Sequence, residues 1–133
     1  MTELMNDDIQ AFGQASPRAH YIPALGYGGF VFTSGQLPFL DDGSHGGDRP
    51  FDDQARQVLA NLDRVLTTAG TTRDRVLHVT AFLVGIDHWD AFNRIFAEFF
   101  GDWRPTRTVV PVPNLHFGYL LEIEAVAAAG RAD

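Results

Sequence analysis

Cysteine is absent from the chain, and its absence removes disulfide frameworks, thiolate nucleophiles and Cys-based zinc sites together. A chain of this kind suits a reducing compartment. The five histidines, His20, His45, His78, His88 and His116, show no i, i+4 pairing or other ligand spacing, so neither a metal site nor a metal cofactor is expected. Positive charge is scarce: ten basic against seventeen acidic side chains give a net charge of −7. No basic cluster offsets that balance, which argues against nucleic acid and against an anionic membrane surface as partners. Apolar runs stay far below the length of a membrane span. Residues 1–10 carry Glu3, Asp7 and Asp8 where a signal peptide needs a basic and then an apolar stretch. Cytoplasmic residence is the expectation.

Hydrophobic residues are plentiful, at 45% of 133, enough for one core and too few for two. A single domain over residues 1–133 is expected, with residues 1–15 as a flexible N-terminal extension. Ala19 to Leu25 and Gly29 to Ser34 read as strands with a turn over Gly26 to Gly29. Asp41 to Pro50, rich in Gly, Asp and Pro, reads as a loop.

From Phe51 the period changes. Ala55, Val58, Leu59, Leu62, Val65, Leu66 and Ala69 form a stripe at helical spacing, with Asp52 or Asp53 placed to cap its start and Gly70 to follow its end. Val76 to Val84 is apolar on both faces, as in a central strand. A second helix is expected from near Asp87, with Trp89, Phe92, Phe96 and Phe99 as its stripe, and Gly101 to Pro105 ends it. Two strands follow, Thr106 to Val112 and Tyr119 to Ala127. This order predicts a two-layer α+β domain, a mixed sheet with two helices on one face. The other sheet face is also apolar, which predicts self-association.

The last two strands carry the most chemistry. If they pair as a hairpin around Asn114 and Leu115, Arg107 stands opposite Glu122 with Cβ atoms about 5 Å apart. Such a pair could bind a substrate carboxylate through the guanidinium and manage a water or proton through the carboxylate. On geometry alone an ordinary cross-strand salt bridge is the commoner outcome. Glu122 and Glu124 share a strand face at about 7 Å, but nothing in the chain suggests the sugar cleft that paired carboxylates serve in glycosidases. Ser34 lacks the Gly-x-Ser-x-Gly setting of a hydrolase nucleophile, whereas Gly35 could let a ligand approach the backbone closely. His116, between the final strands, is a candidate for the site rim.

Several blocks together resemble the RidA/YjgF family of reactive-intermediate (enamine/imine) deaminases: Phe32-Thr-Ser-Gly-Gln36, Gln54-Ala-Arg-Gln-Val-Leu-Ala-Asn-Leu62, Ala69-Gly70, Val79-Thr-Ala-Phe-Leu83, Phe92-Asn93, Pro105-Thr-Arg-Thr-Val109 and Leu121-Glu-Ile-Glu-Ala125. The similarity spans about Ser16 to Ala127. It implies a chorismate-mutase-like fold assembled as a homotrimer with clefts between subunits. It also implies Arg107 as carboxylate anchor and Glu122 as water handler. Tyr21 and Asn93 would line the cleft, Gly35 and the Val109 main chain would supply backbone contacts, and no cofactor would be needed. The implied enzyme is a hydrolase of C–N bonds converting 2-iminopropanoate- or 2-iminobutanoate-type acids to 2-oxo acids and ammonia. Pro111 to Tyr119 is bulkier and more aromatic than the usual turn, which admits a larger ring-cleavage enamine such as 2-aminomuconate. Ile22-Pro23 also departs from the family pattern. A non-catalytic, carboxylate-binding or chaperone-like trimer is the alternative in another class. The ribonuclease label attached to the family fits poorly with the acidic balance.

Overall fold

The computed structural model describes residues 8–17 and 19–131. Six strands and two helices follow in chain order: β1 (Gln10–Phe12), β2 (Ala24–Tyr27), β3 (Phe30–Thr33), α1 (Phe51–Thr68), β4 (Val76–Leu83), α2 (Trp89–Phe100), β5 (Thr106–Pro111) and β6 (Leu121–Ala128). The strands form one sheet in the order β1-β2-β3-β6-β4-β5. All neighbours are antiparallel except β4 and β5, which run parallel across the α2 crossover.

Alternation along the strands sorts the residues between two faces. Val79, Ala81 and Leu83 of β4 and Leu121, Ile123, Ala125 and Ala127 of β6 are buried, and the helices cover them. The expected helical stripes supply the other half of the core: Ala55, Val58, Leu59, Leu62 and Leu66 from α1, with Phe92, Ile95, Phe96 and Phe100 from α2. Ion pairs Arg94–Asp52 at 3.0 Å and Arg56–Glu98 at 3.5 Å join the two helices at the surface. The opposite sheet face carries no element among the described residues. Leu25, Tyr27, Phe30 and Phe32 are 39 to 54% exposed there, which is the two-sided apolar sheet that the sequence predicts.

Four expectations need correction. Residues 10–12 are a strand paired with β2 rather than part of an unstructured extension; residues 1–7 of that extension lie outside the described residues. The first predicted strand starts five residues late, at Ala24, because Pro23 cannot donate to a ladder. Neither helix has a side-chain cap: Pro50 precedes α1, and a short 3-10 turn, Ile86–His88, leads into α2. The largest correction concerns the final strands, which do not form a hairpin. Residues 112–120 carry the chain across the end of β4, with Val112 N–H bonding Leu83 O and Val84 N–H bonding Leu120 O, both at 2.9 Å. β4 therefore lies between β5 and β6. The physical reason is the crossover: α2 returns the chain for a parallel strand on the outer side of β4, and the inner side is taken by β6.

Candidate active site

Because β4 intervenes, Arg107 is registered with Val79 and Glu122 with Phe82. Val79 belongs to the helix-covered face, so Arg107 projects that way; its guanidinium carbon lies 5.2 Å from the Phe92 ring centre and 5.0 Å from that of Phe96. Glu122 alternates with the buried Leu121 and Ile123 and projects to the open face. Within one chain the two groups lie on opposite sides of the sheet. The expected cross-strand contact is absent, and so is the salt bridge.

Around Arg107 is a cavity of about 390 Å³, lined by Asn93, Phe96, Trp103, Arg104, Pro105 and Arg107 among others. The Trp103 indole is fixed by a 2.7 Å hydrogen bond from Nε1–H to Val76 O. Val109 shares the Arg107 face two residues on and packs against the core. Among the described residues no carboxylate pairs with Arg107, whose recorded contacts are the two rings beneath it. The structure thus gathers Asn93 and Arg107 on one cavity, with Val109 next to them along the strand but outside the cavity lining.

A second group forms around Glu122. After β3, residues 34–36 turn onto β6, with Gln36 and Ile123 exchanging both backbone hydrogen bonds, at 2.7 and 3.0 Å. This lays Gly35 directly on the Glu122 carboxylate, so closely that a Cβ at Gly35 would collide with Oε2. Ser34 donates its hydroxyl to Ile22 O at 2.6 Å and its N–H to Pro23 O at 2.9 Å. The segment beginning at Tyr21, a residue 52% exposed, is held beside Gly35 in this way. Partial burial, and secondarily the charge of Glu124, push the Glu122 carboxyl above its usual range. No hydrogen bond or ion pair compensates it among the described residues.

His116 joins neither group. It sits exposed in the 3-10 turn His116–Gly118 with its ring 3.8 Å from that of Phe117. Phe117 has a positive φ of 59°, stacks on His45 at 4.9 Å and meets Phe39 edge-on at 5.7 Å. These aromatics wall a separate cavity over residues 43–48. Sequence reasoning missed Phe96, Trp103 and Arg104 as site residues. The Phe stripe reads as core, where the buried Phe92 and Phe96 do belong, and nothing in spacing alone tells a core ring from a ring under a cation. No cluster of His, Asp or Glu able to hold a metal occurs among the described residues, and no described helix is long and apolar enough to cross a membrane.

The family profile described as Endoribonuclease L-PSP matches residues 12–129. The chain belongs to the RidA/YjgF (L-PSP) family. Protein HMF1 of Saccharomyces cerevisiae is 36% identical over 110 residues, covering 83% of this chain and 84% of that protein. A RutC family protein of Pyrococcus horikoshii is 35% identical over 123 residues, covering 92% and 98%. A third relative, named "Putative reactive intermediate deaminase TdcF", of Escherichia coli, is 33% identical over 112 residues, covering 80% and 84%. Its crystal structure with bound serine superposes with a TM-score of 0.77 at 31% identity, over 92% of this chain and 94% of that one. The two-helix, six-stranded arrangement is the family's fold.

Proposed function

We propose that this member is a cofactor-independent deaminase that hydrolyses 2-imino acids, and the enamines that tautomerise to them, to 2-oxo acids and ammonia. 2-Iminopropanoate and 2-iminobutanoate are the simplest such substrates. The observation that carries this reading is an Arg107 guanidinium held over two aromatic rings beside a cavity, without a carboxylate partner, in a chain with seven more acidic than basic groups. Guanidinium recognises a carboxylate through two parallel N–H donors. The name given to the E. coli relative supports the same chemistry.

The second participant is Glu122. As it lies on the opposite sheet face from Arg107 of the same chain, we propose that the cleft forms where one copy presents its Arg107 edge to the open face of another, in a homotrimer. The exposed apolar side chains of that face favour such an assembly. With the carboxylate held, Glu122 accepts a proton from water as the water oxygen bonds to C2 and the C=N π pair moves onto nitrogen. Glu122 passes that proton to the nitrogen, which completes the carbinolamine; in the collapse the hydroxyl proton moves through Glu122 to the nitrogen, the C–N bond breaks, and the oxygen lone pair forms the C=O bond. One water is consumed and one ammonia released. The raised Glu122 carboxyl suits a group that must both take and return a proton. None of the 133 residues is lysine, so the reaction proceeds without a lysine Schiff base.

The test uses imines generated in situ by an amino-acid oxidase, with 2-oxo acid release followed in time. The parent protein accelerates release, and Arg107→Ala reduces that acceleration by about 100-fold, the loss of one bidentate charge-assisted contact. An unchanged rate in the variant rejects the assignment. Binding of a 2-oxo acid without any acceleration would favour the carboxylate-binding trimer instead, a reading to which the separation of Arg107 from Glu122 within one chain lends weight.

A further inference from the structure

We infer that the Arg107 cleft takes a substrate with two carboxylates, the second bound by Arg104, which makes imino dicarboxylates the preferred class. The inference rests on the deaminase reading for the reacting group only; the two-anion cleft is a statement about binding.

Arginine pairing across the molecule points to it. Nine of the ten arginines lie among the described residues. Arg49, Arg56, Arg64, Arg73 and Arg94 each pair with an Asp or Glu within 3.8 Å, and Arg75 donates to Ala129 O at 2.9 Å. Only Arg104, Arg107 and Arg131 remain without a recorded polar partner. Two of these three line the same cavity. Carboxylates outnumber cations in this chain, so two neighbouring unpaired guanidiniums do not reflect a shortage of acids. They repel one another, and an anion between them relieves that repulsion.

The geometry fits a ligand with two charged ends. Arg104 and Arg107 line one cavity of about 390 Å³, and two guanidiniums on such a space suit a short dicarboxylate of about four to six carbons. The same cavity wall carries Phe96, Phe100 and the fixed Trp103, apolar surface against which a methylene chain would lie. Arg107 would take the carboxylate next to the imine and Arg104 the distal one.

Calorimetry with two 2-oxo acids of the same five-carbon length isolates the second carboxylate. 2-Oxoglutarate is expected to bind at least about tenfold tighter than 2-oxopentanoate. In Arg104→Gln that ratio collapses toward one, while Arg104→Lys retains part of it. Equal affinities in the parent overturn the inference, as does a preference that survives in Arg104→Gln. So does an Arg104→Gln protein whose assembly state changes by light scattering while its preference does not, because Arg104 would then serve a subunit contact. If 2-oxoglutarate binds as expected but the imine of glutamate hydrolyses no faster with protein than without, the deaminase reading falls and the two-anion cleft stands.

Discussion

Glu122 is placed at some cost to folding, and that cost is measurable. Its carboxyl is raised by burial and by Glu124, so the folded protein holds this proton more tightly than the unfolded chain does. The ionised form is therefore the strained one. The penalty is absent below the ordinary carboxylate value of 4.5, grows as pH climbs toward the folded-state value, and is complete above it. Glu122→Gln should melt at a higher temperature than the parent at pH 8 and at the same temperature below about pH 4, a comparison that calorimetry makes directly. Its neighbour Gly35 tests position rather than charge. A methyl at residue 35 meets the Glu122 carboxylate, the mobile end of a side chain, so Gly35→Ala should displace the carboxylate without disturbing the core. The rate of the proposed imine hydrolysis is expected to fall by about tenfold or more, with unfolding free energy changed by under ~1 kcal/mol.

At the level of elements, one buried amide ties three segments together. Gln54 of α1 donates to Gly47 O at 3.3 Å and to Arg49 O at 2.8 Å, and accepts from Leu120 N–H at 2.9 Å. Gln54→Leu keeps the volume but strands these three backbone groups, and urea denaturation should register a loss of about 2–4 kcal/mol. Helices and strands were largely legible in the sequence because period and burial coincide: every residue of the α1 stripe except Val65 is buried. Strand order was not. Nothing in the residues of β5 and β6 says that β4 lies between them, because the decision is made by the α2 crossover and by a nine-residue connection with the local look of a hairpin loop. The candidate site residues can be picked out by type from the sequence, but their grouping cannot. Arg107 and Glu122 stood out as the ionisable pair of the final strands, yet their placement on opposite faces depends on that strand order. Arg104 carries no periodic or motif signal at all, and it emerges only when the surface ion pairs are accounted for one by one.

For the whole molecule, the separation of the two groups makes a claim that can be tested by mixing. Arg107→Ala and Glu122→Ala subunits are each expected to be inactive. After denaturation and joint refolding, about a quarter of the clefts between copies should combine an intact arginine with an intact glutamate, and activity should return to about that fraction of the parent. No recovery on mixing, with mixed assembly verified by mass spectrometry, would mean that both groups act from one chain. The open face with Leu25, Tyr27, Phe30 and Phe32 is the surface such assembly would cover.

A sheet that keeps Arg107 on one side and Glu122 on the other would give the proposed reaction a dependence on protein concentration. On this proposal a single chain would hold a carboxylate or position a water, but not both at one carbon. Dilution below the association midpoint would then extinguish turnover while leaving each chain folded, and a newly made copy would stay inert until it met others. Abundance, rather than any switch within the fold, would set when the chemistry begins.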